Sequence, residues 1–145
     1  MRICQITSVH PMRDERIFNR CTKGLANRGH DMVYIAPHTQ SEIIDGIKVF
    51  PVTPRSGFPM RVLSAWEAFR IARRLDADIF HYHDPDLHPF MDILVSLGEK
   101  VVFDMHEYHV GALRHRRSGP QTKLIPAFAA SGRRMMKRVH GVAYV

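Results

Sequence analysis

Cysteine is scarce in this sequence, which contains only Cys4 and Cys21 among its 145 residues. One lies in a strand-like run and the other on the apolar side of a predicted helix, so both are interpreted as small buried hydrophobes rather than as a disulfide framework. The sequence also predicts neither a signal peptide nor a membrane-spanning helix. Arg2 lies inside the first apolar run, and the stretch from Met12 to Arg16 is strongly charged where such a segment would have to continue. We therefore expect a cytoplasmic protein.

Acidic residues are also few, with 14 against 21 lysines and arginines, and the formal net charge is +7. The basic excess gathers late in the chain, at Arg114, Arg116, Arg117, Arg133, Arg134, Lys137 and Arg138. Such a balance favours an anionic partner, although charge alone does not choose among nucleic acid, a phosphate-bearing substrate and an anionic membrane. A solvated basic surface is the alternative interpretation. The length and a hydrophobic content of 45% predict one domain with its own core, spanning residues 1–145.

The glycine-rich fingerprint of dinucleotide-binding proteins, G-x-G-x-x-G, is missing from the first turn between strand and helix. That turn, from Ser8 to Arg13, follows a predicted strand from Arg2 to Thr7 and precedes a helix with Asp14 as its N-cap and Gly29 at its end. The expected apolar stripe of this helix is Ile17, Phe18, Cys21 and Leu25, and the expected solvent face is Arg16, Arg20, Lys23 and Arg28. With a second strand from Asp31 to Ala36, this order predicts a Rossmann-like unit that does not bind NAD or FAD.

The next part of the chain predicts a loop from Pro37 to Gly46, a strand from Ile47 to Val52 and a helix from Met60 to Leu75. Pro51 places the strand at an edge of the sheet, because proline cannot donate to a ladder of hydrogen bonds. The residues expected to face inward from the helix are Val62, Leu63, Trp66 and Phe69, surrounded by Arg61, Arg70, Arg73 and Arg74. A helix docked on a sheet is the ordinary interpretation of this pattern, and a face that meets anionic lipid is the alternative.

The centre of the sequence is a strand, helix and strand unit from Asp78 to His109. Its first strand ends at His81-Tyr-His-Asp-Pro-Asp86, and its second ends at Asp104-Met-His-Glu107. The helix between them, from Pro85 to Gly98, is expected to bury Leu87, Phe90, Met91 and Leu94. A connection of this kind makes the two strands parallel, so their carboxyl ends share the edge where open α/β folds bind ligands. We predict that Asp84 and His106 meet at this edge.

The last third of the sequence predicts a loop from Tyr108 to Gly119, a helix from Thr122 to Val139 with Pro126 near its start, and a sixth strand from His140 to Val145. A doubly wound domain that stands alone needs a further turn or helix after its last strand. We therefore expect a second domain, C-terminal to this chain.

The two strand ends carry the residue types that acid, base and hydrogen-bond chemistry need. Side chains alternate along a strand, so Asp104 and His106 share a face, and we expect Asp104 to orient His106. A histidine held in this way can hydrogen-bond a sugar hydroxyl or move a proton near neutral pH. A structural histidine at the rim of the sheet is the alternative. Asp84 stands immediately before Pro85 and fits an N-cap, which is a structural role.

A metal centre is a further interpretation of the same region, with His81, His83, His106, His109 and Glu107 as candidate ligands. The H-E-x-x-H and C-x-x-C spacings are missing, so we predict no metal site. His81 lies two residues deeper in its strand than His83, and we expect it to be a core histidine packed under the edge.

Five stretches resemble the N-terminal domain of glycosyltransferase family 4, or group 1. They are Thr7–Pro11, Asp14–Phe18, Leu25–His30, His83–Leu87 and Val101–Glu107, and they occur in the order and at the separation found in that family. The resemblance covers nearly all of the chain. It implies the GT-B architecture, in which two Rossmann-like domains face a cleft. The expected fold class is accordingly α/β, a Rossmann-like doubly wound parallel sheet forming the N-terminal half of that architecture.

The resemblance implies that this domain binds the acceptor, while an absent C-terminal domain binds the nucleotide-sugar donor. It also implies retention of anomeric configuration, no cofactor, no essential metal and no nucleic-acid partner. His106 matches the histidine that approaches the transferred sugar, with Asp104 beside it. The turn from Ser8 to Arg13 matches a segment near the donor phosphates and the acceptor. Several relatives have a glycine pair there that this sequence lacks, which leaves the side chains of His10 and Arg13. The other expected substrate-binding residues are Asp84, Glu107 and His109.

The implied activity is hexosyl transfer in polysaccharide or glycolipid synthesis, with a sugar or lipid-linked acceptor. An anionic membrane surface at the inner face of the membrane is a further expected partner, and the isolated segment is expected to be inactive. Two alternatives stay open: a nucleotide-sugar epimerase of the same architecture, and a non-catalytic Rossmann-like module that binds an anion or a membrane. A reading frame that continues with a paired-glutamate motif favours the transferase, and one that ends at Val145 favours the module.

Overall fold

A mostly parallel sheet forms the centre of the fold. The computed structural model describes residues 1–57, 60–105 and 125–144, and in the last range it describes side chains from residue 130 to residue 143. The strands in these ranges are β1 (Arg2–Ile6), β2 (Asp31–Pro37), β3 (Glu42–Ile44), β4 (Ile47–Val52), β5 (Ile79–Tyr82), β6 (Val101–Met105) and β7 (Gly141–Tyr144). Their order in the sheet is β3-β4-β2-β1-β5-β6-β7, and all neighbours are parallel except β3 and β4. The predicted α/β fold class is confirmed.

Helices cover both faces of this sheet. One face packs against a segment that is a π-helix over Glu15–Thr22 and continues as α1 (Lys23–Ala26). The other face carries α2 (Met60–Ala72), then a 3₁₀ turn (Pro85–Leu87) leading into α3 (His88–Ser96), and finally α4 (Ile125–Arg138). The second of these faces buries the larger apolar core, which includes Cys4 as predicted. No helix in the described ranges is long and apolar enough to cross a bilayer.

The central unit has the predicted topology. β5 and β6 pair in parallel with Tyr82 opposite Phe103. Leu87, Met91 and Leu94 are buried, and Phe90 packs against the same core, so the predicted apolar face is confirmed. Gly98 follows α3 with φ of 91°, a conformation that favours glycine at the end of a helix.

The segment from Pro37 to Gly46 was predicted as a loop, and this prediction is wrong because it contains β3. β3 and β4 form an antiparallel hairpin whose turn residues, Asp45 and Gly46, have φ of 52° and 80°. Asp-Gly is the dipeptide that such primed turns favour, so the sequence did carry the signal. β4 is therefore not the edge strand. β3 pairs only with its first half, Ile47 to Val49, and Pro51 lies where β4 has no outer neighbour among the described strands.

α2 packs through a different face from the one that the apolar pattern predicted. Its buried residues are Ser64, Ala65, Ala68, Phe69 and Ala72. Of the residues expected inside, Phe69 is buried and Val62 is partly buried, whereas Leu63 and Trp66 are 49% and 44% exposed. Small side chains on the inner face let the helix approach the sheet closely, and larger ones would hold it away. The prediction for Leu63 and Trp66 is wrong for this reason.

Replacing Ala68 tests this packing directly, because Ala68 has no exposed surface. We expect Ala68→Leu to lower the free energy of unfolding by about 1–3 kcal/mol, since extra methylene groups overpack a close interface. Leu63→Ser is the matched control on the outer face and should change it by less than about 0.5 kcal/mol. Urea denaturation measures both. A harmless Ala68→Leu together with a damaging Leu63→Ser would put the opposite face of α2 against the sheet.

Candidate active site at the carboxyl edge of the sheet

The carboxyl ends of β1, β5 and β6 lie side by side, because these strands are parallel neighbours. Two groups of polar side chains occupy this edge, one around Asp84 and the other around Asp104. Both residues are only 3% exposed. A buried carboxylate is costly unless hydrogen bonds or opposite charges compensate it, so the partners of these two groups define the site.

Asp84 holds the loop that follows β1. Its Oδ2 accepts hydrogen bonds from Thr7 Oγ1 at 2.6 Å, from Ser8 N at 2.7 Å and from Val9 N at 3.3 Å. Thr7 Oγ1 in turn accepts a hydrogen bond from His10 N at 3.0 Å. The carboxylate of Asp84, which follows β5, thus fixes the turn that follows β1.

The capping role predicted for Asp84 is not the one its side chain performs. Asp84 does occupy the N-cap position before Pro85, but its side chain makes no capping hydrogen bond. The carboxylate instead accepts hydrogen bonds from a hydroxyl and from backbone N–H groups of the turn after β1. The dipeptide Asp-Pro cannot reveal this, because the partner is 76 residues away in the sequence.

His10 lies between two carboxylates at the mouth of this loop. Its Nε2 is 3.3 Å from Asp84 Oδ1, and its Nδ1 is 3.5 Å from Asp14 Oδ2. Asp14 is the N-cap that the sequence predicted, since its Oδ1 accepts hydrogen bonds from Arg16 N at 3.0 Å and Ile17 N at 2.8 Å. Burial alone would raise the pKa of Asp14, but the Ile17 N–H and the charge of His10 outweigh it and lower the pKa.

Asp104 joins three elements of the fold. Its Oδ2 accepts hydrogen bonds from Arg16 Nη1 at 2.5 Å, on the π-helix, and from His83 Nδ1 at 2.9 Å, just after β5. Burial alone would raise the pKa of Asp104, but the hydrogen bond and charge of His83, together with those of Arg16, lower it to about 2. The carboxylate is therefore ionised at physiological pH, and its two neighbours hold it in place.

Arg16 was predicted on the solvent face of its helix, and this prediction is wrong. Its side chain is 28% exposed, and the guanidinium reaches into the site. The helix there is a π-helix, with Asn19 N donating to Asp14 O five residues earlier at 3.2 Å. The apolar face itself is as predicted there, since Ile17 and Phe18 are buried. Arg16 lies in the first turn, two residues after the N-cap, and its long side chain reaches Asp104 at the carboxyl edge of the sheet.

Gln5 extends the group around Asp104 toward β1. Its Oε1 lies 2.6 Å from His83 Nε2, and its Nε2 lies 3.1 Å from His81 Nδ1 and also 3.1 Å from Cys21 Sγ. Burial, together with the neighbouring His83, lowers the pKa of His81 to about 4, so His81 is neutral at pH 7. His81 therefore supports the network from beneath the edge without adding charge to it.

Among the described residues, His81, His83 and Asp104 form a group whose donor atoms lie within 4.8 Å of one another, close enough to consider a metal ion. The chemistry of the group is a poor fit. Both ring nitrogens of His83 lie at hydrogen-bond distance from Gln5 and Asp104, and a guanidinium already contacts the carboxylate. The arrangement supports a hydrogen-bonded network, and the absence of a metal site stays a prediction.

The other predicted site residues are not brought together by the described part of the chain. Arg13 is exposed. The pKa of Asp45, on the hairpin turn, is lowered mainly by Lys23 and to a smaller extent by the positive charge of Arg13. His106, Glu107 and His109 lie outside the described residues, and the expected contact between Asp104 and His106 stays a prediction.

Three side chains of the site were missed from the sequence, those of Gln5, Thr7 and Arg16. Gln5 carried a usable signal, because it is a polar residue inside an otherwise apolar strand and shares a face with Thr7. A buried glutamine needs hydrogen-bond partners, which points to further polar groups on the same face. Arg16 carried no comparable signal.

Comparison with known proteins gives a family match over most of the chain. The family described as Glycosyltransferase Family 4 matches residues 15–145. No curated protein sequence matches the chain.

Two solved structures resemble the fold. One is a sucrose-phosphate synthase from Thermosynechococcus elongatus, with a TM-score of 0.70 and 13% identity over 98% of this chain and 41% of that one. The other is the catalytic domain of starch synthase IV from Arabidopsis thaliana bound to ADP and acarbose, with a TM-score of 0.55 and 13% identity over 74% of this chain and 34% of that one. The chain thus spans less than half of either structure. These likenesses confirm a fold that matches the N-terminal half of the GT-B architecture.

The contacts of Asp104 make stability depend on pH within a defined window. The pKa of Asp104 is about 2 in the fold and about 3.9 in an unfolded chain. Because the folded value is the lower one, the stabilisation is fully present above about pH 4 and is lost as the pH falls toward 2. Between those limits we expect the wild type to lose roughly 2 kcal/mol more free energy of unfolding than Asp104→Asn, as measured by urea denaturation at each pH.

Asp31→Asn is the matched control, because Asp31 forms an exposed pair with Arg2 at 2.6 Å, with side chains 55% and 45% exposed. Exposed pairs contribute at most about 1 kcal/mol, so this variant should follow the wild-type pH profile. An Asp104→Asn profile parallel to that of the wild type would show that the Asp104 carboxylate is not held as an ion.

Proposed function

The chain belongs to glycosyltransferase family 4, and we propose that it is the acceptor-binding, N-terminal domain of a retaining transferase that uses a nucleotide-sugar donor. In this proposal, residues 1–145 form one domain, and a second domain C-terminal to it binds the donor. The reaction is hexosyl transfer in the synthesis of a polysaccharide or a glycolipid, and the acceptor is a sugar or a lipid-linked sugar. The nucleotide-sugar is a co-substrate, and no cofactor is needed.

The observation that carries this proposal is the set of polar groups at the carboxyl edge of β1, β5 and β6. The carboxylates of Asp84 and Asp104 are buried there and held by defined partners. A sugar presents many hydroxyl groups that both donate and accept hydrogen bonds. Carboxylates, imidazoles and a guanidinium fixed in advance can bind such hydroxyls without being reordered first.

Arg16 adds a donor to this edge. Its Nη2 is buried and has no hydrogen-bond partner among the described residues, while its Nη1 is committed to Asp104. A buried donor without a partner is costly, and a substrate hydroxyl or phosphate oxygen would satisfy it. We therefore include Arg16 with the substrate-binding residues of the site.

The proposed chemistry centres on His106, which follows Met105, the last residue of β6. His106 hydrogen-bonds a hydroxyl of the transferred sugar and supports the oxocarbenium-like transition state. Asp104 is the positioning residue, because its contacts with Arg16 and His83 fix the end of the strand that leads into His106.

Substrate binding is assigned to the loop after β1 and to the segment after β6. Asp84 fixes the loop, and the side chains of His10 and Arg13 approach the donor phosphates in place of a glycine-rich backbone. Glu107 and His109 contact the acceptor. The site becomes complete only when the donor domain closes over it, so residues 1–145 alone transfer no sugar.

The test is a screen of UDP-, GDP- and ADP-sugars with a protein that contains this chain and the proposed second domain. Release of the nucleotide together with a glycosylated acceptor supports the proposal. Conversion of the donor to an epimer without transfer would identify an epimerase instead. A folded protein that acts on none of the donors would contradict the proposal.

Removing the His106 imidazole should slow turnover far more than it harms folding. A group that contacts the reacting sugar acts mainly in the transition state, so His106→Ala should lower kcat by about 10²-fold to 10³-fold and leave the acceptor KM nearly unchanged. Steady-state kinetics with the donor found in the screen measure both quantities.

His30→Ala is the matched control, because His30 immediately precedes β2 at the amino edge of the sheet, opposite the site. It should keep wild-type turnover. A His106→Ala protein that is folded and turns over at the wild-type rate would restrict His106 to a structural role.

A further inference from the structure

The outer face of α2 carries large apolar side chains while its inner face carries small ones. Met60, Leu63 and Trp66 are 43%, 49% and 44% exposed, whereas Ala65 and Ala68 are fully buried. Soluble helices ordinarily show the reverse arrangement, with the large side chains facing the core. The spacing of three residues between the exposed side chains aligns them as one stripe along the helix.

Trp66 packs against two phenylalanine rings within this stripe. Its ring lies 5.5 Å from that of Phe69 and 5.7 Å from that of Phe90, and these two phenylalanines stack at 5.6 Å. One side of the indole therefore rests on the core while the rest of it is presented outward. A tryptophan in this setting loses little conformational freedom when a partner covers it. Tryptophan is also enriched at the interface between bilayer and water, because its ring is amphipathic.

Arginine side chains lie next to the apolar stripe, toward the C-terminal end of the helix. Beside Trp66 and Leu63 is a groove of about 410 Å³ that three arginines line, Arg55, Arg70 and Arg74, with Glu67 as the one acidic residue in its lining. Glu67 is engaged by Arg55 Nη1 at 2.7 Å. The lining of the groove therefore has a net positive charge, and its arginines Arg70 and Arg74 are exposed to solvent.

We propose that the outer face of α2 docks on the surface of an anionic lipid bilayer. Leu63 and Trp66 enter the interfacial region, and the guanidinium groups of Arg70 and Arg74 contact lipid phosphates. Apolar anchors beside cations on one helix face suit a membrane surface, which offers an apolar layer directly beneath a negatively charged one. A free anion would satisfy the arginines and leave the exposed apolar side chains in water.

This docking would bring the carboxyl edge of the sheet close to the membrane. α2 begins at that edge, since Nη2 of Arg61, in its first turn, lies 2.6 Å from Oδ2 of Asp86, which follows β5. If the proposed transferase function holds, the acceptor that this placement favours is a lipid-linked sugar. The docking itself does not depend on transfer, so the two proposals can fail separately.

The chain offers its own reporter for the test, because Trp66 is its only tryptophan. Vesicles of phosphatidylcholine alone are compared with vesicles containing about a third of phosphatidylglycerol, by co-sedimentation and by Trp66 emission. We expect binding to the anionic vesicles with a blue shift of the emission, weakened by added salt because the phosphate contacts are screened.

Two double variants with the same loss of charge distinguish binding through the outer face of α2 from attraction by the overall positive charge. Arg70→Gln combined with Arg74→Gln should weaken binding by about thirtyfold. The control, Arg20→Gln combined with Arg28→Gln, removes the same charge from exposed positions on the opposite helical layer and should change binding by less than about threefold. Leu63→Ser should weaken binding and reduce the blue shift.

Four outcomes would overturn the proposal. They are equal binding to neutral and anionic vesicles, equal losses in the two double variants, the same emission shift with glycerol phosphate alone, and an emission shift that follows protein concentration without lipid. The third would identify a pocket for a free phosphate, and the fourth would identify a second copy of the chain as the occupant of this face.

Discussion

The geometry of the candidate site depends on one buried carboxylate, that of Asp104. The π-helix reaches it through Arg16, β5 reaches it through His83, and β6 carries it, so three elements that are distant in sequence meet at one oxygen atom. Truncating either partner would leave a buried charge less well compensated, which is strongly destabilising in protein interiors. The loop after β1 is tied to the same edge through Asp84. The hydrogen-bonded arrangement of polar side chains at the ends of β1, β5 and β6 is therefore part of the fold and is in place before any substrate binds.

The sequence was a reliable guide wherever connectivity decides the outcome. The spacing of strand, helix and strand requires parallel pairing, and β5 and β6 do pair in parallel with their carboxyl ends at one edge, as predicted. That Asp84 meets His106 at this edge stays a prediction, because His106 lies outside the described residues. It was a poor guide wherever a helix face had to be assigned. Arg16 was misplaced because its long side chain reaches from the first turn of its helix to Asp104, and Trp66 was misplaced because mostly small residues form the true interface of α2. Capping was predicted correctly for Asp14, whose partners are local, and not for Asp84, whose partners belong to the loop after β1.

The way in which α2 packs on the sheet decides which of its side chains remain at the surface. Close contact with the sheet is achieved by small residues, and the cost is a row of large apolar side chains left at the surface. A domain that meets its acceptor at a membrane would use that row, because it begins beside the edge where the polar network lies. The network at the edge and the outer face of α2 would then perform separate tasks, one in substrate binding and one in location.

The central claim is that the edge organised by Asp104 is where transfer takes place. It is tested most directly by the turnover of Asp104→Asn compared with that of Asp31→Asn, each in the proposed two-domain protein and under conditions where both variants are folded. We expect kcat to fall by about 10²-fold in the first variant, because the strand end that leads into His106 loses its anchor, and to stay within about twofold of the wild type in the second. Equal turnover in the two folded variants would contradict the account and place the chemistry elsewhere.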